Sequence, residues 1–177
     1  MNKKIKDSLS TSLYLLIVLV VTFLVVTYVG QRTKVIGSSM SPTLTDGDTL
    51  IVDKISYRFH DPERFDIVVF PFRYAEKTYY IKRIIGLPGE TVYIDEEGTI
   101  YIDGEVLDEH FGKEVIRDPG RAYETITLGE DEYFVLGDNR KNSEASRSAD
   151  IGKVKRSYIY GKAWFVASPK KDWGFVK

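Results

Sequence analysis

Tyr79-Tyr80-Ile81-Lys82-Arg83-Ile84-Ile85-Gly86-Leu87-Pro88-Gly89 sets the class of the fold. Aromatic and β-branched residues dominate its first part, and Gly86-Leu87-Pro88-Gly89 has turn chemistry, so it reads as a strand stopped by a turn. The same pattern recurs on either side. Residues 49–52 and 65–70 are short apolar runs bounded by Asp, Gly and Pro. Residues 91–94 and 99–102 flank Asp95-Glu96-Glu97-Gly98 as a hairpin, and Asp103-Gly104 marks another tight turn. Residues 133–136 and 162–166 read as closing strands. Residues 104–125 are charged and irregular, and read as a surface excursion or small cap. The expectation is one irregular, mainly β domain over residues 30–177.

Composition narrows the chemistry. A chain of 177 residues suits one domain. Twelve tyrosines and nine phenylalanines favour strands. The net charge of −1 gives no electrostatic case for nucleic acid. There is no cysteine, which removes disulfides, cysteine nucleophiles and thiolate metal sites and leaves the redox compartment undetermined. The two histidines, His60 and His110, lie far apart and form no metal motif. No metal and no cofactor is expected.

Residues 13–29 are an uncharged apolar run of 17 residues. That is the low end of what a bilayer core of ~30 Å requires. Lys3, Lys4 and Lys6 precede it, as in a cleavable secretory signal. The small residues such a signal needs before its cut are poorly placed, because Tyr28 stands two before Gly30 and the pair Gly37/Ser39 lies well past the run. An uncleaved anchor is therefore expected. The three lysines put residues 1–12 in the cytoplasm and residues 30–177 outside; Arg32 and Lys34 weaken the charge asymmetry without reversing it. Phe70-Pro71-Phe72 is a candidate for an apolar surface touching lipid, with a core turn as the alternative.

Gly37-Ser38-Ser39-Met40-Ser41-Pro42-Thr43-Leu44 follows the run closely and offers a serine hydroxyl near a membrane surface. A serine hydroxyl needs a partner to take its proton. Both histidines sit in loop-like settings and read as exposed. A lysine can serve only when neutral at working pH, and burial lowers its ordinary pKa of ~10.4. On a strand Lys82 shares a face with Tyr80 and Ile84, and Arg83 faces the other way and needs a partner of its own. Taken alone, Lys82 reads as a surface lysine on an edge strand. Ser168-Pro169-Lys170-Lys171 has Ser-x-x-Lys spacing, but it lies in a basic tail rather than at a helix start inside a larger domain.

Read jointly, the segments carry a resemblance. Ser39-Met40-Ser41-Pro42-Thr43-Leu44 resembles the serine box of bacterial type I signal peptidases, and Tyr80–Glu90 resembles their lysine box. Gly137-Asp138-Asn139-Arg140-Lys141-Asn142-Ser143 is similar to their third box, and Gly152-Lys153-Val154 with Ile159-Tyr160-Gly161-Lys162-Ala163 to their ending. Order and spacing agree over nearly the whole chain, and the short excursion is similar to that of the small Gram-positive enzymes. The resemblance implies an irregular β-barrel-like catalytic domain of the signal peptidase/LexA type behind one N-terminal transmembrane helix. It implies a membrane-bound serine endopeptidase that removes signal peptides from preproteins, cutting after small residues at −1 and −3.

Roles follow by position. The resemblance makes Ser39 the nucleophile, Lys82 the general base and Ser143 the group that orients the lysine amine. Asp138 and Arg83 are expected to pair, and Arg147 matches the arginine closing the third box. Gly37 stands where some relatives carry an oxyanion-stabilising hydroxyl, so the expected oxyanion donors at Ser39 and Gly37 are the backbone N–H of Ser39 and a neighbouring amide; such a donor is worth ~3 kcal/mol. Val35, Met40, Leu44, Tyr80 and Ile81 are candidates to line the substrate pockets, with ordinary core packing as the alternative. One departure stands out: Ala145 replaces the aspartate of the usual Ser-x-Asp-Ser-Arg, which puts the order of the Ser143 loop in question. Glu144 faces the other way on extended backbone, and Asp150 could substitute from farther along. Ala145 also supports a competing reading, a catalytically impaired relative assisting pilus or surface-protein assembly. A self-cleaving LexA-like repressor shares the chemistry but needs a DNA-binding domain where this chain has an apolar run.

Overall fold

The computed structural model describes residues 3–28, 30–72, 79–112, 114–141, 143, 145–148 and 151–176; within the N-terminal helix, side chains are described for residues 9–23. One helix, α1 (Lys3–Tyr28), leads into twelve short strands. These are β1 (Gly30–Lys34), β2 (Thr49–Asp53), β3 (Ile67–Pro71), β4 (Tyr79–Gly86), β5 (Thr91–Ile94) and β6 (Ile100–Ile102), then β7 (Glu105–Val106), β8 (Ile126–Thr127), β9 (Glu132–Leu136), β10 (Val154–Lys155), β11 (Gly161–Ser168) and β12 (Gly174–Phe175). All described pairings are antiparallel.

The larger sheet runs β1-β2-β11-β3-β4-β9-β10, with β12 added to β11; the smaller runs β7-β6-β5-β8. Among the described residues neither path returns on itself. The barrel-like expectation is therefore corrected to two open antiparallel sheets: the larger one ends at β1 and β10. Register shifts interrupt its ladders in β11 and β4, where the strands bend.

The lysine strand β4 lies between β3 and β9, with Val68 opposite Lys82 and Leu136 opposite Arg83. It is a central strand, not an edge, so the surface-lysine reading fails. Its apolar residues enter different parts of the core. Ile81 packs with Val35, Met40, Leu44, Val52 and Ile67. Ile84 packs with Tyr57, Val68, Phe70, Tyr133 and Val135. Ile85 joins Val92, Ile94, Ile116, Phe134 and Leu136, the cluster that ties the small sheet to the large one. With apolar contacts on both faces, polar side chains on β4 are forced out of water.

Two segments depart from the sequence pattern. Residues 65–70 read as one run, but Phe65 has φ 71, off the extended region, and β3 starts at Ile67. Within 104–125, Ile116 and Ala122 are buried and Val106 pairs with Tyr101, so this segment supplies core and a strand as well as surface.

Every described large apolar side chain of α1 is exposed, from Leu9 to Phe23. Among the described residues no helix is long and apolar enough to cross a membrane. The end of the 13–29 run lies outside them: the side chains of residues 24–28, and residue 29 altogether, are not described.

Candidate active site

The serine box is folded as a tethered loop between β1 and β2. Val35 N–H donates to Asp48 O at 2.7 Å and Gly47 N–H returns to Val35 O at 3.0 Å, closing its neck. Gly37 turns the chain with φ 90, a conformation that favours glycine. Its N–H donates to Asp46 Oδ1 at 2.8 Å, so Gly37 is engaged away from any oxyanion. Ser41 N–H donates to Ser38 O at 3.1 Å and Leu44 N–H to Met40 O at 2.9 Å. Met40 and Leu44 are buried and anchor this turn in the core, which leaves Ser39 half-buried at its tip.

Lys82 reaches that tip from β4. Its side chain is 1% exposed, and Nζ lies 2.9 Å from Ser39 Oγ and 3.2 Å from Ile81 O. The Tyr80 ring centre is 5.1 Å away. A lysine amine in contact with a serine hydroxyl, inside a protein wall, is an arrangement that can take a proton from that serine.

The next residue supports the pair from behind. Arg83 is fully buried and meets Asp138, also fully buried, in two bonds: Nε to Oδ1 at 2.9 Å and Nη2 to Oδ2 at 2.7 Å. Its Nη1 donates to Phe65 O at 3.0 Å, and its guanidinium stacks 3.8 Å from the Phe111 ring centre. Thr43 Oγ1 donates to Asp138 Oδ2 at 2.5 Å. Thus the arginine of the lysine box, the aspartate of the third box and the threonine of the serine box form one buried cluster. Two-bond geometry and full pairing are what a buried charge needs to persist.

The third box also grips the serine turn directly. Asn139 N–H donates to Ser39 O at 3.0 Å, and Asn139 Nδ2 donates to Ser38 O at 3.1 Å. Ser143 is buried and packs over Gly137. A Cβ built on Gly137 stands 2.0 Å from Ser143 Oγ and 2.4 Å from Ser39 O, so the hydroxyl and the carbonyl share space that only glycine leaves open. Thr43, Phe111, Gly137 and Asn139 were not singled out from sequence. Three of them lie inside the quoted boxes; Phe111 lies in the excursion and carried no signal.

Ala145 is buried in the apolar cluster of Ile85, Phe134 and Leu136. The loop around it is held without a carboxylate there. Ser146 N–H donates to Val135 O at 2.9 Å and Ser146 Oγ accepts from Val135 N–H at 2.9 Å. Ser148 donates to Ala145 O through both N–H and Oγ. Arg147 donates to the carbonyls of Asp118 and Arg140; burial, with Arg140 nearby, pulls its pKa down, while Asp118 opposes that shift. Glu144 and Asp150, the candidate substitutes, lie outside the described residues.

A groove of about 690 Å³ opens on Ser39 and Lys82, walled by residues 31–40 and 79–82. Val35, Met40, Tyr80 and Ile81 line it. Leu44 does not: it is wholly buried in the core cluster behind, where no ligand in the groove can touch it.

Comparison with known proteins gives the family. The family model described as signal peptidase, peptidase S26, matches residues 8–168. The chain is 42% identical over 143 residues to a probable signal peptidase I-2 of a Synechocystis species, covering 78% of this chain and 63% of that protein. It is 35% identical over 167 residues to a probable signal peptidase I-1 of the same organism, covering 90% and 82%. It is 35% identical over 162 residues to signal peptidase I P of Bacillus subtilis subsp. natto, covering 88% and 86%. The chain thus spans less than two thirds of the first of these relatives and most of the other two. A match over that much of the chain shows that it belongs to the signal peptidase family, peptidase S26, a family of serine endopeptidases.

Proposed function

We propose that the protein is a membrane-anchored peptidase that removes N-terminal signal peptides from secreted preproteins, with Ser39 as nucleophile and Lys82 as general base. The observation that carries this reading is the 2.9 Å approach of a lysine amine, 1% exposed, to a serine hydroxyl at the lip of a groove. Exclusion from water disfavours the ammonium form, which is what a lysine base requires. Neutral Lys82 takes the hydroxyl proton as Ser39 Oγ bonds to the scissile carbonyl carbon. The peptide N–H of Ser39 donates to the oxygen as it gains charge. Lys82 then returns the proton to the leaving amine, and an ester remains on Ser39. Water, deprotonated by Lys82, attacks the ester and frees the serine.

The groove supports the choice of substrate. Its floor by Ser39 is formed by Val35, Met40 and Ile81, all nearly buried, so a side chain entering there meets a shallow apolar wall. Small residues at −1 and −3 suit it. The uncharged, exposed side chains of residues 9–23 on α1 support an anchor over 13–29, with 1–12 in the cytoplasm, 30–177 outside and lipid as the anchor's surroundings.

The test is a preprotein with Ala at −1 and −3. Mass spectrometry of the product should place the cut directly after −1, and Trp at −1 should stop it. Cleavage indifferent to the size of −1 would contradict the groove reading.

A further inference from the structure

Ser38 O accepts two hydrogen bonds: from Ser41 N–H at 3.1 Å within the turn, and from Asn139 Nδ2 at 3.1 Å across it. This carbonyl belongs to the same peptide unit as the Ser39 N–H. Among the described residues that N–H donates to no group. Asn139 also holds the next carbonyl, Ser39 O, with its own backbone N–H at 3.0 Å. Asn139 is 8% exposed, while Ser38 itself lies at the surface, so the bond is shielded from the Asn139 side. Only the amide nitrogen can face Ser38 O, because Oδ1 there would set two acceptors against each other.

A peptide whose carbonyl accepts hydrogen bonds is polarised, and its N–H becomes a stronger donor; the effect is roughly 10–30% per bond in a chain. We infer that Asn139 is a positioning residue for the oxyanion: through Ser38 O it orients and polarises the one peptide whose N–H faces the developing charge. Gly37 offers no hydroxyl, and its N–H is spent on Asp46, so the demand on the Ser39 N–H is greater. The inference deepens the proposed function and rests on Ser39 being the nucleophile.

The test uses the full chain in detergent with two variants. Asn139→Asp keeps the size and the backbone N–H but replaces the donor by an acceptor; Asn139→Ala deletes it. Both should lose about tenfold or more in kcat, with KM within about twofold. Affinity for a peptide boronic acid ending in Ala, which forms a tetrahedral adduct on Ser39, should fall by the same factor as kcat. Affinity for an uncleavable peptide with Pro at +1 should hold. A merely structural role would weaken both ligands alike. Unchanged kcat and boronate affinity, or equal loss for both ligands, would overturn the inference. Where the Asp variant does not fold, the Ala variant decides by the same two ligands. Wild type without activity, or activity kept in Ser39→Ala, refutes instead the reading on which this rests.

Discussion

Arg83 and Asp138 meet in a two-bond ion pair, at 2.9 and 2.7 Å, with neither side chain exposed to solvent. The pair joins neighbours of the lysine and of the serine clamp, so it links stability to site geometry. Asp138→Ala leaves a buried guanidinium uncompensated, which costs about 3–5 kcal/mol. For a chain of this size the midpoint of thermal unfolding should drop by roughly 10 °C. Replacing both charges, Arg83→Met with Asp138→Leu, should cost less than Asp138→Ala alone. An equal or larger loss in the double variant would mean that packing, not the stranded charge, sets the penalty.

Gly137→Ala tests the crowding over the site. Its methyl meets Ser143 Oγ at 2.0 Å and Ser39 O at 2.4 Å, so either the Ser143 loop or the serine turn must move. Displacements near 1 Å cost about a hundredfold in rate. The expectation is a loss of that order in kcat with a folded protein by circular dichroism. Activity within about twofold of wild type would show that the two segments yield freely.

Ala145→Asp asks whether the missing aspartate weakens the enzyme. The methyl of Ala145 is 1% exposed among Ile85, Phe134 and Leu136, and the loop is already held by Ser146 and Ser148. A carboxylate there loses water without an assured partner, at a cost above the about 1–3 kcal/mol of a neutral unpaired polar group. The variant should unfold at lower temperature and cleave no faster than wild type. A gain in both rate and stability would instead support the catalytically impaired reading.

Much of this architecture could be read from the chain, and the gaps have physical causes. Seven of the strands follow apolar runs between turn residues, β4 with its Gly86–Gly89 stop most plainly. Strand β1 went unread because Gln31, Arg32, Thr33 and Lys34 carry no apolar alternation; it forms by pairing with β2. The two-residue strands β7, β8, β10 and β12 are too short to leave a periodic signal. Sheet closure is a property of strand order, which local pattern does not encode; the barrel-like expectation came from the resemblance alone. At the site, the Arg83–Asp138 pairing was foreseeable as two opposite charges needing partners. Leu44 was misplaced as pocket lining because an apolar residue beside a nucleophile looks the same whether it faces ligand or core. Asn139 was missed because its work is done on backbone carbonyls.

Acid should weaken the fold in part through Glu132. Its hydrogen bond and ion pair with Lys153, at 2.5 Å, and the Gly129 N–H hold the carboxyl below its ordinary 4.5. A depressed carboxylate adds stability above its unfolded pKa and loses it as pH falls through the folded value. The melting temperature of wild type should therefore exceed that of Glu132→Gln at pH 7, and the gap should shrink as pH falls below the ordinary 4.5 of the carboxyl. A gap that persists unchanged until the protein unfolds in acid would mean the charge of Glu132 is not what stabilises.

The most direct test of the account is the 2.9 Å contact between Ser39 and Lys82. Ser39→Ala and Lys82→Ala, each purified as full chain and checked by thermal melting, should cut a preprotein whose signal peptide ends in Ala-x-Ala at less than about a thousandth of the wild-type rate, since nucleophile and base act as a unit. Their melting temperatures should stay near that of wild type for Ser39→Ala, which loses only a hydroxyl. Cleavage at an unchanged rate by either folded variant would contradict the serine–lysine mechanism.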